Sequence, residues 1–163
     1  MSASQNTVPR IIAGVDGSQP SIEALRWAVQ QAELTGGTID AVIAWEFPLV
    51  ASGFGWAPNR AFLDDTSYCE LANETLNTAI SEASPPPDVT INQVVAEGDP
   101  ARVLLDAAKN ADLLVVGSRG HGAFIDALIG SVSVRCMHHA SCPVVIFRTP
   151  RPAANQEPAG AAA

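Results

Sequence analysis

Lysine is almost absent from this sequence. The 163 residues include a single lysine, Lys109, and nine Lys and Arg together stand against seventeen Asp and Glu, for a formal net charge of −8. This balance excludes the broad positive field that holds a nucleic-acid backbone or an anionic membrane surface. An anionic ligand must therefore be held locally, by backbone N–H groups, hydroxyls and a few arginines.

Paired cysteines and long apolar runs are also lacking. Cys69, Cys136 and Cys142 are odd in number and lack the spacing of a secreted disulfide framework, so we predict free thiols. No apolar run reaches the roughly 18 residues of a membrane span, and the amino-terminal segment has no basic start followed by an apolar stretch. We predict a cytoplasmic protein that binds neither nucleic acid nor membrane.

Short apolar runs alternate with segments of helical spacing. Residues 11–15 predict a buried strand that ends at the turn Asp16-Gly17-Ser18. Helix boundaries are marked by Gly36-Gly37, by three consecutive prolines from Pro85, and by Asp99-Pro100, where a capping carboxylate precedes a first-turn proline. The remaining predicted strands are 38–45, 89–93, 113–116 and 144–147, the last helix is 130–140, and 46–64 is predicted to be a long loop.

This alternation predicts an α/β fold with a doubly wound parallel sheet, helices on both faces, and a ligand site at the carboxyl ends of the strands. We assign one domain to residues 10–148, preceded by an extension at 1–9. Residues 149–163 are rich in Pro, Ala and Gly without apolar periodicity, which predicts a disordered tail.

Glycines and serines cluster after the fourth predicted strand. Residues 117–122 read Gly-Ser-Arg-Gly-His-Gly, and 130–133 read Gly-Ser-Val-Ser at the start of a predicted helix. Glycines let backbone approach a phosphate closely, and a helix N-terminus supplies unpaired N–H groups with a partial positive charge. The pattern favours a phosphate site over the alternative, a glycine-rich turn followed by an ordinary serine cap. It needs no lysine.

These residues resemble the universal stress protein family. The resemblance rests on Gly-x2-Gly-x9-Gly-Ser after a hydrophobic strand, on Gly-Val-Asp-Gly-Ser at 14–18 and on Cys-Pro-Val-Val at 142–145, and it covers 10–148. It implies a five-stranded, Rossmann-like sheet of order 3-2-1-4-5 (adenine nucleotide alpha-hydrolase-like), ATP or AMP binding, homodimers, and roles in stress survival or dormancy. The cofactor expected from it is ATP, with or without Mg²⁺.

The resemblance also implies a role for each matched residue. Gly14 and Asp16 are expected beside the nucleoside, with Ala44 in the adenine pocket. The phosphate and ribose contacts are expected from Gly117, Ser118, Arg119, Gly120, His121, Gly122, Gly130, Ser131, Val132 and Ser133. Taken alone, Asp16 is also compatible with a simple turn and cap, and Arg119 with a solvated loop cation.

No catalytic residue is predicted. A Walker loop and a nucleophile elbow are absent, and Cys136, His138, His139 and Cys142 are disfavoured as a metal site because 138 does not share a helical face with 136 and 139. We expect an ATP-binding regulatory module rather than an enzyme. The alternatives are a slow ATPase, a nucleotidyl-transfer enzyme, a member that binds cyclic AMP, or one that acts through an unknown protein partner without ATP.

The last predicted strand suggests how two copies pair. In the implied strand order, Val144–Phe147 is an edge strand with four consecutive apolar residues and no inward charge or proline to protect it. We therefore expect a homodimer in which this strand pairs with its symmetry mate.

Overall fold

The protein folds around a parallel sheet of five strands. The computed structural model describes residues 8–46, 49–52, 55–58, 65–120 and 129–148. The sheet strands are β1 (Arg10–Gly14), β2 (Thr38–Trp45), β5 (Thr90–Glu97), β6 (Leu113–Gly117) and β7 (Val144–Phe147). Their order in the sheet is β5-β2-β1-β6-β7, and every neighbouring pair is parallel. When only these five strands are numbered along the chain, the order is 3-2-1-4-5, so the predicted topology is confirmed.

Within the described residues, four α-helices cover the sheet: α1 (Gln19–Thr35), α2 (Asp65–Ala83), α3 (Pro100–Ala107) and α4 (Ser131–His139). The predicted helix boundaries are confirmed. Helix α1 ends at Gly36 in the left-handed conformation (φ 66°), where glycine carries no side-chain penalty. Helix α3 begins after Asp99, whose side chain accepts a hydrogen bond from the Arg102 N–H at 2.9 Å.

The segment predicted as a long loop contains a hairpin, so that prediction was incomplete. Strands β3 (Leu49–Ser52) and β4 (Gly55–Pro58) pair antiparallel. Only Gly53 and Phe54 separate them in sequence, and a two-residue connection that begins with glycine is a hairpin signal. The abundance of Gly, Pro and aromatic residues in 46–64 hid that signal.

The third sheet strand is longer than the predicted 89–93, because β5 pairs with β2 along its whole length, from Thr38 opposite Thr90 to Trp45 opposite Glu97. Tertiary pairing extends it beyond the alternating part of its sequence.

The core has two layers, one on each face of the sheet. Helices α1 and α2 pack on one face, where Leu25, Ile39 and Leu76 are fully buried. Helices α3 and α4 pack on the other, where Ile12 and Leu114 are fully buried. Each such side chain contributes roughly 1.5–3 kcal/mol by leaving water. Residues 11–13 of β1 are buried on both faces, as the uninterrupted apolar run predicts.

An ion pair closes the amino end of the sheet. Asp40, 7% exposed, binds Arg10 through Nη2 at 2.6 Å and Nε at 2.8 Å. Its second oxygen accepts a hydrogen bond from Asn92 Nδ2 at 2.8 Å. The buried carboxylate is thus paired on both oxygens, which is the condition under which such a charge is tolerated.

The three cysteines are free, as predicted. Over the part of the chain that the structure describes, no helix has the length and apolar character needed to span a membrane.

Candidate functional site

A cavity of about 480 Å³ lies at the carboxyl ends of β1, β2 and β6, beside the first turns of α1, α3 and α4. Strand β1 delivers Gly14 to its floor and β6 delivers Gly117. A side chain at 117 would lie 2.8 Å from the Pro20 carbonyl carbon and 2.9 Å from the Ser21 nitrogen, so only glycine lets α1 begin this close to β6. The sheet edge expected to hold the ligand therefore contains a formed pocket.

The Asp16 side chain stabilises the turn after β1 and also lies against the loop after β6. Asp16 Oδ1 accepts hydrogen bonds from the Ser18 N–H at 2.9 Å and the Ser18 hydroxyl at 2.5 Å. The other carboxylate oxygen lies over Gly120, where an added Cβ would collide with it. Asp16 thus makes the simple turn that was the alternative interpretation of this residue, and it also lines the cavity.

The N-terminus of α4 faces the same space. Gly130 is its N-cap residue, so the N-cap residue offers the first turn no side-chain hydrogen bond. The Gly130 N–H donates to the Ser118 carbonyl at 2.7 Å, which ties the helix start to the loop after β6. A Cβ on Gly130 would meet protein atoms no closer than 3.5 Å. The first turn of α4, which begins at an N-cap glycine, therefore faces a cavity with free space beside Gly130.

Two predicted serines make structural bonds. Ser133 Oγ donates to the Gly117 carbonyl at 2.7 Å, and Ser133 is 4% exposed. The Ser118 N–H donates to the Phe147 carbonyl at 2.7 Å, and Ser118 is 3% exposed. Both bonds hold the glycine loop and α4 against the sheet.

The structure brings most of the predicted site residues to the cavity wall. These are Gly14, Asp16, Ala44, Gly117, Arg119, Gly120, Gly130, Ser131, Val132 and Ser133. Ser118 is not among the lining residues. His121 and Gly122 lie outside the described residues.

Sequence reasoning missed part of the wall. The additional lining residues are Val15, Ser21, Val42, Pro100, Leu104, Val116 and Ile129. Two of them had a usable signal. Side chains two residues apart on a strand share a face, and Val42 lies two residues before Ala44; Val116 directly precedes Gly117 at the end of β6. Leu104 comes from a distant helix and gave none.

Side-chain charge at the cavity is sparse. Among the described lining residues only Asp16 and Arg119 are ionisable, and their charges are opposite. An anion bound here would depend chiefly on backbone N–H groups and on the positive end of α4. That agrees with a chain that contains a single lysine.

An ion pair joins the two helices that flank the cavity on one face. Arg135 Nη1 of α4 lies 2.8 Å from each oxygen of Asp99, the residue that caps α3. The hydrogen bond from Arg135 is the main reason that the pKa of Asp99 is lowered. Both side chains are about half exposed.

Cys136 lies beside Arg135 but faces the core. It is fully buried, and burial raises the pKa of its thiol to about 11. A protonated, inaccessible thiol is neither a nucleophile nor a ready metal ligand. Over the described residues, no three His, Cys, Asp or Glu side chains are grouped to hold a metal ion.

Comparison with known proteins identifies the family. The sequence model of the universal stress protein family matches residues 7–148. A universal stress protein of Mycolicibacterium smegmatis is 34% identical over 147 residues, which is 83% of this chain and 47% of that protein. The chain belongs to the universal stress protein family, and it spans about half the length of the curated relatives it matches.

Solved structures share the fold. Universal stress protein UspA from Lactobacillus plantarum superposes with a TM-score of 0.68 at 18% identity, over 86% of this chain and 97% of that one. A universal stress protein in complex with cAMP gives 0.63 at 23% identity, over 87% and 98%. A family protein from Arabidopsis thaliana with AMP bound gives 0.54 at 21% identity, over 87% and 92%.

Proposed function

We propose that this chain binds ATP in the cavity at the carboxyl ends of β1, β2 and β6. The observation that carries the proposal is the first turn of α4, which begins at an N-cap glycine, lines the cavity and is bonded to the loop after β6. This arrangement suits a phosphate. Support comes from the structurally similar proteins that hold cAMP and AMP.

The cavity divides by chemistry into two ends, which suits a nucleotide. Val42, Ala44 and Leu104 offer an apolar wall for the adenine, and Asp16 offers a carboxylate for the ribose hydroxyls. Gly120, Gly130 and the start of α4 then face the phosphates. Because Asp16 is the sole carboxylate among the described lining residues, Mg²⁺ accompanying ATP would be held mainly by phosphate oxygens and water.

Occupancy rather than turnover is the proposed output, in a regulatory role during stress or dormancy. Donors that bind ground and transition states equally do not accelerate a reaction. Among the described lining residues there is no lysine, and Asp16 is the sole acid or base of the kind that phosphoryl transfer uses. We expect ATP hydrolysis far below about 10 per second, the median for enzymes, and a metal-dependent rate near that value would contradict the proposal.

Cyclic AMP is the second candidate ligand, favoured by the similar structure that holds it. Its cyclic phosphate carries one negative charge, which the helix terminus and Arg119 suit. Titration calorimetry with ATP, AMP, cyclic AMP and adenosine ranks the candidates. Tighter binding of cyclic AMP than of ATP would replace the first proposal by the second.

The decisive variant is Gly130→Val, with Gly130→Ala as the graded control. The alanine methyl group fits at ordinary contact distance, whereas the valine methyl groups extend into the space proposed for the phosphates. We expect Gly130→Val to weaken ATP binding by about a hundredfold or more, whereas loss of the N-cap glycine lowers stability by only about 1 kcal/mol in both variants. Wild-type affinity in a folded Gly130→Val protein would contradict the assignment of the phosphate site.

We also propose that the protein forms a homodimer through β7. This strand is at the edge of the sheet, and beyond it no described strand pairs. Val145→Lys places a charge in the edge, which disfavours strand pairing. Sedimentation should show a dimeric wild type and a monomeric variant, and a variant dimer as tight as wild type would rule out this interface.

A further inference from the structure

The ion pair between Asp99 and Arg135 joins positions that adjoin two walls of the cavity. Asp99 directly precedes Pro100, which lines the cavity from α3. Arg135 follows Ser133, which lines it from α4, by two residues. Neither member of the pair is itself among the lining residues. The pair therefore links two walls of the site from outside it.

One carboxylate performs both parts of this link. Asp99 accepts the Arg102 N–H at 2.9 Å and so fixes the first turn of α3, while both its oxygens contact Arg135 Nη1 at 2.8 Å. Each helix is also anchored in the core beside the pair, α3 by Ala101 and α4 by Cys136, both fully buried. The pair therefore links α3 and α4 on their exposed side, while Ala101 and Cys136 hold them on the buried side.

We infer that Asp99 and Arg135 are positioning residues for the nucleotide: they hold the first turns of α3 and α4 at the separation that the phosphates require. The inference rests on the proposed nucleotide binding. A half-exposed ion pair contributes little to stability, because water screens it and ordering two side chains costs entropy. The ion pair is therefore expected to act mainly on the separation between the first turns of α3 and α4, and only slightly on the free energy of unfolding.

The competing explanation is that Arg135 attracts the phosphates directly. Substitutions that remove one charge of the pair distinguish the two explanations. If Arg135 acts only as a nearby positive charge, Arg135→Gln weakens ATP binding and Asp99→Asn strengthens it. If the pair positions the helices, both substitutions weaken it. Asparagine is also a good N-cap residue, so Asp99→Asn retains the cap of α3 while it removes the ion pair.

The test measures ATP and adenosine affinities of wild type, Asp99→Asn, Arg135→Gln, the double variant and Arg135→Lys by calorimetry. We expect each single change to weaken ATP binding by about fivefold, to weaken adenosine binding less, because Leu104 lies one turn further along α3 than Pro100, and to add nothing further when combined. Arg135→Lys should restore most of the affinity, because an ammonium can still reach Asp99. Lys109→Gln is the matched control, since it removes the same charge from the pair with Asp106 and should leave ATP binding at the wild-type value.

Three results would overturn the positioning role: tighter ATP binding by Asp99→Asn, unchanged ATP binding in both single variants, or an equal loss of adenosine and ATP. A wild-type protein that binds neither ligand would instead overturn the proposed function, and the positioning role with it.

Discussion

The two ends of the sheet are stabilised by different chemistry. At the amino end, Arg10, Asp40 and Asn92 form a side-chain network around a buried carboxylate with both oxygens paired. At the carboxyl end, the contacts run mainly through backbone groups and hydroxyls, and a cavity remains. Under the proposed function, the difference corresponds to a division of roles, in which one end holds strands together and the other keeps backbone donors available for a ligand.

The largest expected effect on folding comes from breaking the amino end. Arg10→Met leaves the Asp40 carboxylate buried without its cation, which should lower the free energy of unfolding by about 3 kcal/mol. Urea denaturation measures the loss. Arg102→Met is the control, because Arg102 is 83% exposed and should change stability by less than about 0.5 kcal/mol. Equal losses in the two variants would remove the distinction between this pair and a surface one.

A smaller loss is expected from filling the close approach at the carboxyl end. In Gly117→Ala the new methyl group meets the backbone of Pro20 and Ser21, which cannot move without shifting α1, so stability should fall by about 1–3 kcal/mol. Thermal unfolding with and without ATP measures the change. Gly130→Ala, where the methyl group has room and only the N-cap preference is lost, should lose less, about 0.5–1 kcal/mol. An unaltered Gly117→Ala protein would show that the approach is not tight.

The smallest effect separates two serines of α4. Ser133→Ala removes the bond to the Gly117 carbonyl and should cost about 1 kcal/mol of stability. Ser131→Ala should leave stability unchanged and weaken ATP binding by about tenfold, because its exposed hydroxyl faces the cavity. Unfolding and calorimetry on both variants give a two-way comparison. Identical profiles for the two variants would contradict the assignment of separate roles.

The carboxyl end was largely predictable because its signals are local. A β-branched run predicts each strand, and Gly117, Gly120 and Gly130 fall at spacings that place them at the end of β6 and the start of α4. The amino end was not predictable. Arg10 and Asp40 are 30 residues apart and each resembles an ordinary surface charge until β1 and β2 pair.

Within the site, the hardest features to predict were orientations. The sequence does not show that the Ser133 hydroxyl turns back to the Gly117 carbonyl, nor that Leu104 reaches the cavity from α3. Both depend on the packing of α3 and α4 against the sheet. The hairpin β3–β4 was missed for another reason. The Gly, Pro and aromatic residues of 46–64 are typical of a loop, and the turn signal between the two strands is only two residues long.

The first turn of α4 has a consequence for how the protein can change over generations. A surface made from main-chain N–H groups is encoded by the path of the backbone and not by the identity of any side chain. Most substitutions on the helix exterior leave those groups where they are. The damaging changes are those that add bulk at Gly130 or redirect the chain between Ser118 and Gly130, the residues whose backbone bond sets the start of the helix. A phosphate site of this kind places no such requirement on the rest of the surface, including its acidic charge.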